Sequence, residues 1–270
     1  MNTCRSRSGL GYQRHGEGPP VLLLHGIPGS SASWRAVRDL LAQDHDVVIP
    51  DLLGFGASDR PRELRQLHAT AQAAAVEVLL DELRWSEVTF AGHDFGGPVA
   101  VLLARSRPDL VARLALFASN AFTDTPVPFP LSTIKLPIVG RPAAAILFSA
   151  PSLRLMLRTG VGQPHVHLDA PAHLGDQDQQ HAIRTIFAGS LRHLPELYAP
   201  VEAALGALRI PTHVGWGDRD PFFCVGQGRR TATALQATFE LLPRAGHFLP
   251  QERPTEVAAA IRSLVTSHTG

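Results

Sequence analysis

The chain has 270 residues, a formal net charge of +1 and 18% charged residues. This length suits one enzyme-sized α/β unit with an insertion, and the near-zero net charge argues against the basic surface that binds nucleic acid. No apolar run reaches membrane-spanning length, and the N-terminus lacks the apolar region of a signal peptide. We therefore expect a cytoplasmic protein that binds neither nucleic acid nor membrane. The sequence leaves the oligomeric state open, with monomer and homodimer as the two alternatives. Cys4 and Cys224 are too few for a disulfide framework and are not spaced as metal ligands.

Apolar runs and helical spacings alternate through the first part of the chain. The pattern predicts an edge strand over 10–15, a strand over 21–24, a helix that begins near Trp34, a strand over 46–51 and a helix over 71–85. A tight turn, HGIPG, follows the second strand. Such an alternation of strand and helix indicates a mostly parallel sheet with helices on its faces.

The segment 87–104, EVTFAGHDFGGPVAVLLA, predicts a strand, a sharp turn and a helix. Gly92 and Gly96 stand two residues on either side of Asp94. Small residues at those positions indicate a turn that has no space for a larger side chain. An alternative is that Asp94 only caps the helix that starts at Phe95, since aspartate is favoured at that position.

The alternation stops between residues 121 and 200, where prolines cluster and short apolar helical pieces such as 143–148 appear. These pieces are too apolar for a disordered linker, so a helical insertion is expected. Alternation then resumes with a strand over 211–217, a helix over 229–236, a strand over 238–242 and a helix over 255–265. The predicted core is 1–120 and 201–270, and the insertion is 121–200.

The G-x-D-x-G pattern around Asp94 resembles the nucleophile elbow of the α/β-hydrolase superfamily, with aspartate where common hydrolases carry serine. Four further segments resemble family motifs and follow in the same order, namely HGIPG, DLLGFGASDRP, WGDRDP and the Gly246-His247-Phe248 turn. The resemblance is closest to the branch with an aspartate nucleophile, the epoxide hydrolases and haloalkane dehalogenases. It implies an α/β-hydrolase fold in which residues 121–200 form a helical cap.

The resemblance also implies roles for particular residues. Asp94 would be the nucleophile, His247 the base and Asp220 the acid that orients it. Asp218 is the second candidate for the acid. Some relatives carry the acid where this chain has Asn120, with Asp124 nearby, but an amide cannot hold a histidine as an anion does.

Other positions would bind the substrate or the developing charge. The backbone N–H groups of Ile27 and Phe95 are expected to form the oxyanion hole. His25, Phe95 and Phe248 are expected to contact the substrate. Of the two tyrosines, Tyr198 at the end of the cap is the candidate proton donor, whereas Tyr12 is expected to be structural.

An aspartate nucleophile suits attack on a saturated carbon, because a carboxylate is ionised at neutral pH and attacks without losing a proton. The expected reaction opens an epoxide on a small apolar molecule, gives an alkyl ester on Asp94, and hydrolyses it with water activated by His247. No cofactor or metal is expected. His165 and His167 lack a third ligand at a suitable spacing, and the other cap histidines, His173, His181 and His193, have no assigned role.

Three alternatives stay open. The first is a haloalkane dehalogenase, in which side-chain N–H groups would hold the halide. At two positions where relatives carry such donors, this chain has Ile27 and Phe95, whose side chains have no N–H group. Fluoroacetate dehalogenases follow the aspartate with arginine, which also differs from Phe95. Epoxide hydrolases use a pair of cap tyrosines, whereas this cap has only Tyr198. The second alternative is therefore a secondary-metabolite tailoring enzyme, in which Asp94 or His247 acts as a base in ring opening, cyclisation or carbon–carbon bond formation. The third alternative is a non-catalytic ligand-binding protein.

Overall fold

The computed structural model describes residues 3–127, 129–163, 165–169 and 174–266. Within these residues one sheet contains eight strands. The strands are β1 (Cys4–Arg5), β2 (Gly11–His15), β3 (Pro20–Leu24), β4 (Asp46–Pro50), β5 (Val88–His93), β6 (Val111–Phe117), β7 (Thr212–Gly217) and β8 (Thr238–Leu242). Their order across the sheet is β1-β2-β4-β3-β5-β6-β7-β8. The pairs that involve β2 are antiparallel and all the others are parallel.

Helices cover both faces of the sheet. They are α1 (Arg35–Leu41), α2 (Leu64–Leu67), α3 (Ala69–Leu83), α4 (Gly96–Ser106), α5 (Gly140–Leu147), α6 (Ala150–Thr159), α7 (Gln177–Arg192), α8 (Leu194–Ala207), α9 (Val225–Leu235), α10 (Leu249–Glu252) and α11 (Pro254–Thr266). Short 3-10 turns lie at Ser31–Trp34 and Leu131–Lys135. Among the described helices, none has both the length and the apolar character needed to cross a membrane.

Strand β3 explains why the central strands are continuously apolar. Val21 and Leu23 pack with α1 and α11 on one face, whereas Leu22 and Leu24 pack with α3 and α4 on the other. Successive side chains of a strand point to opposite faces, so a strand covered on both sides needs apolar residues at every position. The predicted parallel sheet with helices on both faces is therefore confirmed.

Two predicted elements differ from the structure. The strand predicted over 10–15 is not at the edge, because β1 pairs outside it and places Cys4 opposite Tyr12. A strand of two exposed residues has no alternation that sequence could reveal. Helix α9 begins at Val225, four residues before the predicted start at Arg229, because the glycines in its first turns mask the helical pattern.

Helices α5, α6, α7 and α8 lie in the chain between β6 and β7. We call this insertion the cap. It is tied to the core by polar contacts, among them the guanidinium of Arg60, which donates to the carboxylate of Asp176 at 2.9 Å. The predicted division into core and cap stays a prediction, and its boundary at residue 200 falls inside α8.

Candidate active site

Asp94 stands at the turn between β5 and α4 with a left-handed backbone, φ 49°. Two close approaches enforce this turn. A Cβ atom on Gly96 would lie 2.2 Å from the carbonyl oxygen of Leu24, and one on Gly92 would lie 2.6 Å from that of Gly96. Left-handed backbone is costly for a residue other than glycine and clusters at functional sites. The sharp turn expected from the two glycines is present.

The carboxylate of Asp94 points away from the helix that follows it. Its Oδ2 atom accepts a hydrogen bond of 2.8 Å from the N–H of Ile27, in the HGIPG turn. Helix α4 starts after Phe95 without any side-chain cap. The interpretation of Asp94 as a helix cap is therefore wrong, because its side chain is held by the neighbouring turn instead.

His247 lies between two carboxylates. Its Nε2 atom is 3.7 Å from Oδ1 of Asp94, and its Nδ1 atom is 2.9 Å from Oδ2 of Asp220. The other oxygen of Asp220 accepts from the backbone N–H groups of Phe222 and Phe223 at 2.8 and 3.1 Å. Because the Asp220 side chain is fully buried and both oxygens are bonded, it fixes the imidazole in one orientation.

The other candidate acids do not reach His247. Asp218 is exposed and accepts from the N–H of Ala245 at 3.3 Å. Asp124 is exposed and forms an ion pair with Arg230. Asn120 is buried, and its side-chain oxygen accepts from the N–H of Phe122 at 3.2 Å. Of the four positions weighed from sequence, Asp220 alone contacts the imidazole.

The charges of the site shift its pKa values strongly. Burial by itself would lower the pKa of His247, but Asp220 and Asp94 outweigh burial and raise it to about 10. Burial by itself would raise the pKa of Asp94, but His247 and the N–H of Ile27 lower it below its ordinary value. Both shifts favour an imidazolium beside the carboxylate of Asp94.

His93, the residue before Asp94, has a position that sequence analysis missed. Its ring is buried, and its Nε2 atom lies 2.9 Å from the carbonyl oxygen of His247. Burial and the charge of His247 lower the pKa of His93 to about 4. The ring is therefore neutral and donates to that carbonyl. The only sequence signal was its position beside Asp94.

A chamber of about 140 Å³ opens above Asp94. From the core, its walls include Ile27, Asp94, Phe95, Phe222, His247 and Phe248. From the cap, they include Met156, Ile186, Phe187, Leu191, Leu194 and Tyr198. The described walls are thus mainly apolar, with charge concentrated at Asp94 and His247. Burial and the charge of Asp94 raise the pKa of Tyr198, so its phenol stays protonated.

Five residues predicted at the site, besides the triad, can now be located. Ile27, Phe95, Phe248 and Tyr198 all line the chamber. His25 does not, and its expected contact with substrate is not supported. Its Nδ1 lies 2.8 Å from the carbonyl oxygen of Gly26, and its Nε2 accepts from a backbone N–H at 2.9 Å. The fully buried ring thus holds the HGIPG turn in place.

Four further histidines of the cap, within the residues that the structure describes, are not among those that line the chamber. His165, His167 and His193 are exposed. Nε2 of His181 lies 2.8 Å from a backbone carbonyl oxygen, that of Arg62. His173 lies outside the described residues. Within the described ranges, no group of three or more His, Cys, Asp or Glu side chains is arranged to hold a metal ion.

Comparisons with known proteins identify the family of the chain. A family model described as alpha/beta hydrolase fold matches residues 19–254. The chain is similar to the soluble epoxide hydrolase of Corynebacterium sp. (strain C12), with 29% identity over 268 residues and 90% of each chain covered. It is also similar to haloalkane dehalogenase 2 of Mycobacterium bovis, with 30% identity over 278 residues, covering 95% of this chain and 91% of that relative.

A solved structure supports the fold. That structure, of the epoxide hydrolase CorEH without ligand, matches with a TM-score of 0.79 and 24% identity over 97% of both chains. Both of the relatives named above are hydrolases, and they support a hydrolase here. The chain belongs to the α/β-hydrolase fold family, as its motifs predicted, and its relatives include epoxide hydrolases and haloalkane dehalogenases.

Proposed function

We propose that this protein hydrolyses epoxides on compact apolar molecules. One observation carries the proposal. The carboxylate of Asp94 lies at the floor of an apolar chamber, 3.7 Å from an imidazole, and the phenol of Tyr198 lines the same chamber. A nucleophile, a base and a neutral proton donor are the three groups that opening an epoxide and hydrolysing the resulting ester require.

In the first step, a carboxylate oxygen of Asp94 attacks one epoxide carbon and the carbon–oxygen bond of the ring breaks. Oδ2 is bonded to the N–H of Ile27, so Oδ1 is the oxygen free to attack. The departing oxygen takes the proton of Tyr198, whose phenolate later recovers a proton from water. The product of this step is an alkyl ester of Asp94.

In the second step, His247 removes a proton from water as that water attacks the carboxyl carbon of Asp94. The negative charge develops on Oδ2, where the N–H of Ile27 already donates, and the N–H of Phe95 is the second proposed donor. Collapse breaks the bond from the carboxyl carbon to Oδ1. The diol leaves with the proton from His247. Asp94 keeps the oxygen of the water as a carboxylic acid and gives its proton to the imidazole, which restores the carboxylate and the imidazolium.

The order of these steps follows from charge. With Asp94 ionised, the pKa of His247 is about 10, so the imidazole is protonated at neutral pH and cannot act as a base. Ester formation neutralises Asp94 and removes one of the two carboxylates that raise this pKa. The imidazolium then releases its proton to the solvent, where it replaces the proton that water gave to the Tyr198 phenolate, and the imidazole becomes available as a base only after the ester has formed.

The size of the chamber limits the substrate. Its volume of about 140 Å³ is close to that of a cavity of about 150 Å³ known to bind benzene. An epoxide with one phenyl ring or a short alkyl chain matches this space. A charged or strongly polar substituent would be buried against apolar side chains without hydrogen-bond partners, at considerable cost.

Haloalkane hydrolysis is the second candidate, favoured by the similarity to haloalkane dehalogenase 2. A departing halide needs N–H donors. No tryptophan is among the described residues that line the chamber. Asn120 lines it, but its amide nitrogen lies 3.4 Å from the carbonyl oxygen of Phe122 and its oxygen is also bonded. The phenol of Tyr198 can give a proton to the alkoxide that forms when an epoxide opens, whereas a departing halide needs no proton. We therefore favour an epoxide as the substrate.

The decisive experiment is a single turnover of racemic styrene oxide in water labelled with oxygen-18. We expect the label in Asp94, detected by peptide mass, and unlabelled diol from the first turnover. The variant His247→Gln should accumulate an ester on Asp94 of the mass of protein plus epoxide. Bromobutane, tested in parallel, measures the dehalogenase activity.

Three outcomes would contradict the proposal. Label that enters the diol directly would mean that water attacks the epoxide without an ester. Conversion of bromobutane much faster than that of styrene oxide would favour the dehalogenase. Stoichiometric binding without turnover across a panel of small epoxides and haloalkanes would favour a ligand-binding protein.

A further inference from the structure

Three backbone N–H groups converge on one buried carboxylate, that of Glu252 at the end of α10. Oε1 accepts from the N–H of Phe248 at 3.0 Å. Oε2 accepts from the N–H of Gly246 at 3.0 Å and from that of Gly162, in the cap, at 2.7 Å. Glu252 thus bonds the residues on both sides of His247 and also a residue of the cap. The catalytic steps above do not use this carboxylate.

The backbone of His247 itself is held by two other groups. Its N–H donates to the carbonyl oxygen of Gly160 at 2.8 Å, and its own carbonyl oxygen accepts from His93 at 2.9 Å. Three successive N–H groups, at residues 246, 247 and 248, therefore all have partners. These bonds fix the loop between β8 and α10, which lies outside the sheet and has no strand partner.

The cap segment 160–162 and the histidine loop touch backbone to backbone. A Cβ atom on Gly162 would lie 2.4 Å from the backbone nitrogen of Gly246. A Cβ atom on Gly246 would lie 2.2 Å from the carbonyl oxygen of Gly160. Glycine on both sides is what allows Glu252 to reach both segments at once.

We propose that Glu252 is a positioning residue that sets the location of the His247 backbone and joins it to the cap at Gly162. Asp220 fixes the rotation of the imidazole through Nδ1, but one hydrogen bond to a ring leaves the backbone free to shift. A misplacement of about 1 Å at a catalytic group can cost about 100-fold in rate. The inference rests on the proposed function, in which His247 activates water.

A carboxylate suits this position better than an amide of the same size. Both of its oxygens accept, and hydrogen bonds to an ionised acceptor are stronger than those between neutral groups. A glutamine would turn its NH2 group toward either Phe248 or the pair Gly162 and Gly246. Donor would then face donor, and at least one buried N–H would lose its partner.

The two steps of the proposed reaction depend differently on Glu252. Ester formation uses Asp94 and Tyr198 and takes place while His247 is protonated. Ester hydrolysis requires Nε2 of His247 at the correct distance from the carboxyl carbon. Loosening the histidine loop should therefore slow the second step and leave the first nearly unchanged, whereas a general structural defect would slow both.

The test uses rapid-quench kinetics of Glu252→Gln with styrene oxide, following the Asp94 ester by intact mass. We expect hydrolysis of the ester to slow by about 10- to 100-fold. Ester formation should stay within about twofold of wild type, so the ester accumulates. The matched control is Glu256→Gln, because that carboxylate is 44% exposed and lies 3.8 Å from Arg253. Both rate constants of this control should equal those of wild type.

The inference would be overturned if Glu252→Gln slowed both steps equally, or if it slowed neither step. If Glu252→Gln does not fold, Glu252→Asp keeps the charge and shortens the side chain, and the same ratio of rate constants decides. Failure of both variants to fold would show that the carboxylate serves the fold instead, which also overturns it. Absence of any ester, even in His247→Gln, would refute the proposed function and is visible before Glu252 is tested.

Discussion

The floor and the roof of the chamber are built on different principles. On the floor, the side chain of His247 lies 3.7 Å from the carboxylate of Asp94 and 2.9 Å from that of Asp220. The roof, from the cap, is a set of apolar side chains with the phenol of Tyr198 among them. In the proposed reaction, the floor determines which bonds are broken, and the roof determines which molecules are admitted.

The origin of the two surfaces in the fold explains this difference. Asp94, Asp220 and His247 follow the ends of β5, β7 and β8, which are parallel and belong to one sheet. The carboxyl ends of parallel strands meet at the same edge, and the sheet holds them rigidly. The roof comes from helices that can vary in sequence while they remain packed. Variants of floor residues and of roof residues test this division.

Asp94→Ala should abolish turnover of styrene oxide, with a loss on the order of 10⁴-fold or more in kcat, because the bond-forming atom is removed. Steady-state assays of diol formation measure this loss. The floor would not carry the chemistry if Asp94→Ala retained a rate near that of wild type. Intact mass should also find no ester on this variant.

Asp220→Asn and Asp218→Asn form a matched pair within one loop. The first should lower kcat by about 10³- to 10⁴-fold, because the anion that orients His247 is lost. The second should stay within about twofold of wild type, because Asp218 is exposed and does not contact the imidazole. A reversal of the two results would move the triad acid to Asp218.

Tyr198→Phe and Tyr12→Phe test the single polar group proposed for the roof. Loss of the Tyr198 phenol should slow ester formation by about 100-fold, as for other general acids, and leave ester hydrolysis nearly unchanged. Tyr12 lies on β2 and does not line the described chamber, so its variant should keep both rates. Pre-steady-state rates separate the two steps, and an unchanged first step in Tyr198→Phe would remove that residue from the mechanism.

Leu194→Ala should change selectivity more than rate. This roof side chain is buried against the chamber, so its truncation enlarges the space and favours a bulkier aryl epoxide in competition with styrene oxide. We expect a change of about tenfold in the ratio of kcat/KM values, corresponding to one or two methylene groups. Leu241→Ala, on exposed β8, is the control and should leave the ratio unchanged.

The ion pair of the floor also affects stability. The pKa of His247 rises from 6.5 to about 10 on folding, so its contribution is complete below pH 6.5 and is lost as the pH rises to about 10. Thermal unfolding should show a Tm that falls across this range in wild type. In Asp94→Asn, the loss should be complete at a lower pH, because one of the carboxylates that raise this pKa is absent. The same Tm profile in both proteins would contradict the coupling.

The floor was largely predictable from sequence because its residues occur in short motifs. Gly92 and Gly96 indicate a tight turn. The order of Asp94, Asp220 and His247 along the chain, each after a predicted strand, indicates that they lie together at one edge of the sheet. Even the choice between Asp218 and Asp220 followed the motif. His25 was misinterpreted, because a motif residue can hold a turn from beneath as well as face the substrate.

The supporting residues could not be predicted in the same way. His93 contacts the carbonyl of His247, 154 positions away in the chain, and Glu252 reaches Gly162 across 90 positions. Neither spacing leaves a local pattern. The roof side chains are ordinary apolar residues of amphipathic helices. Which of them face the chamber depends on how the cap packs against the core. Tyr198 was identified only because the chain has two tyrosines.

Tyr198 as the sole phenol of the described chamber has a stereochemical consequence. With the attacking carboxylate below and one phenol, the proposed proton donor, above, we expect the ring oxygen of a bound epoxide to have one preferred direction. Mirror-image epoxides then direct their substituents toward different parts of the chamber wall. We therefore expect the two enantiomers of a racemic epoxide to be consumed at unequal rates, leaving the slower one enriched.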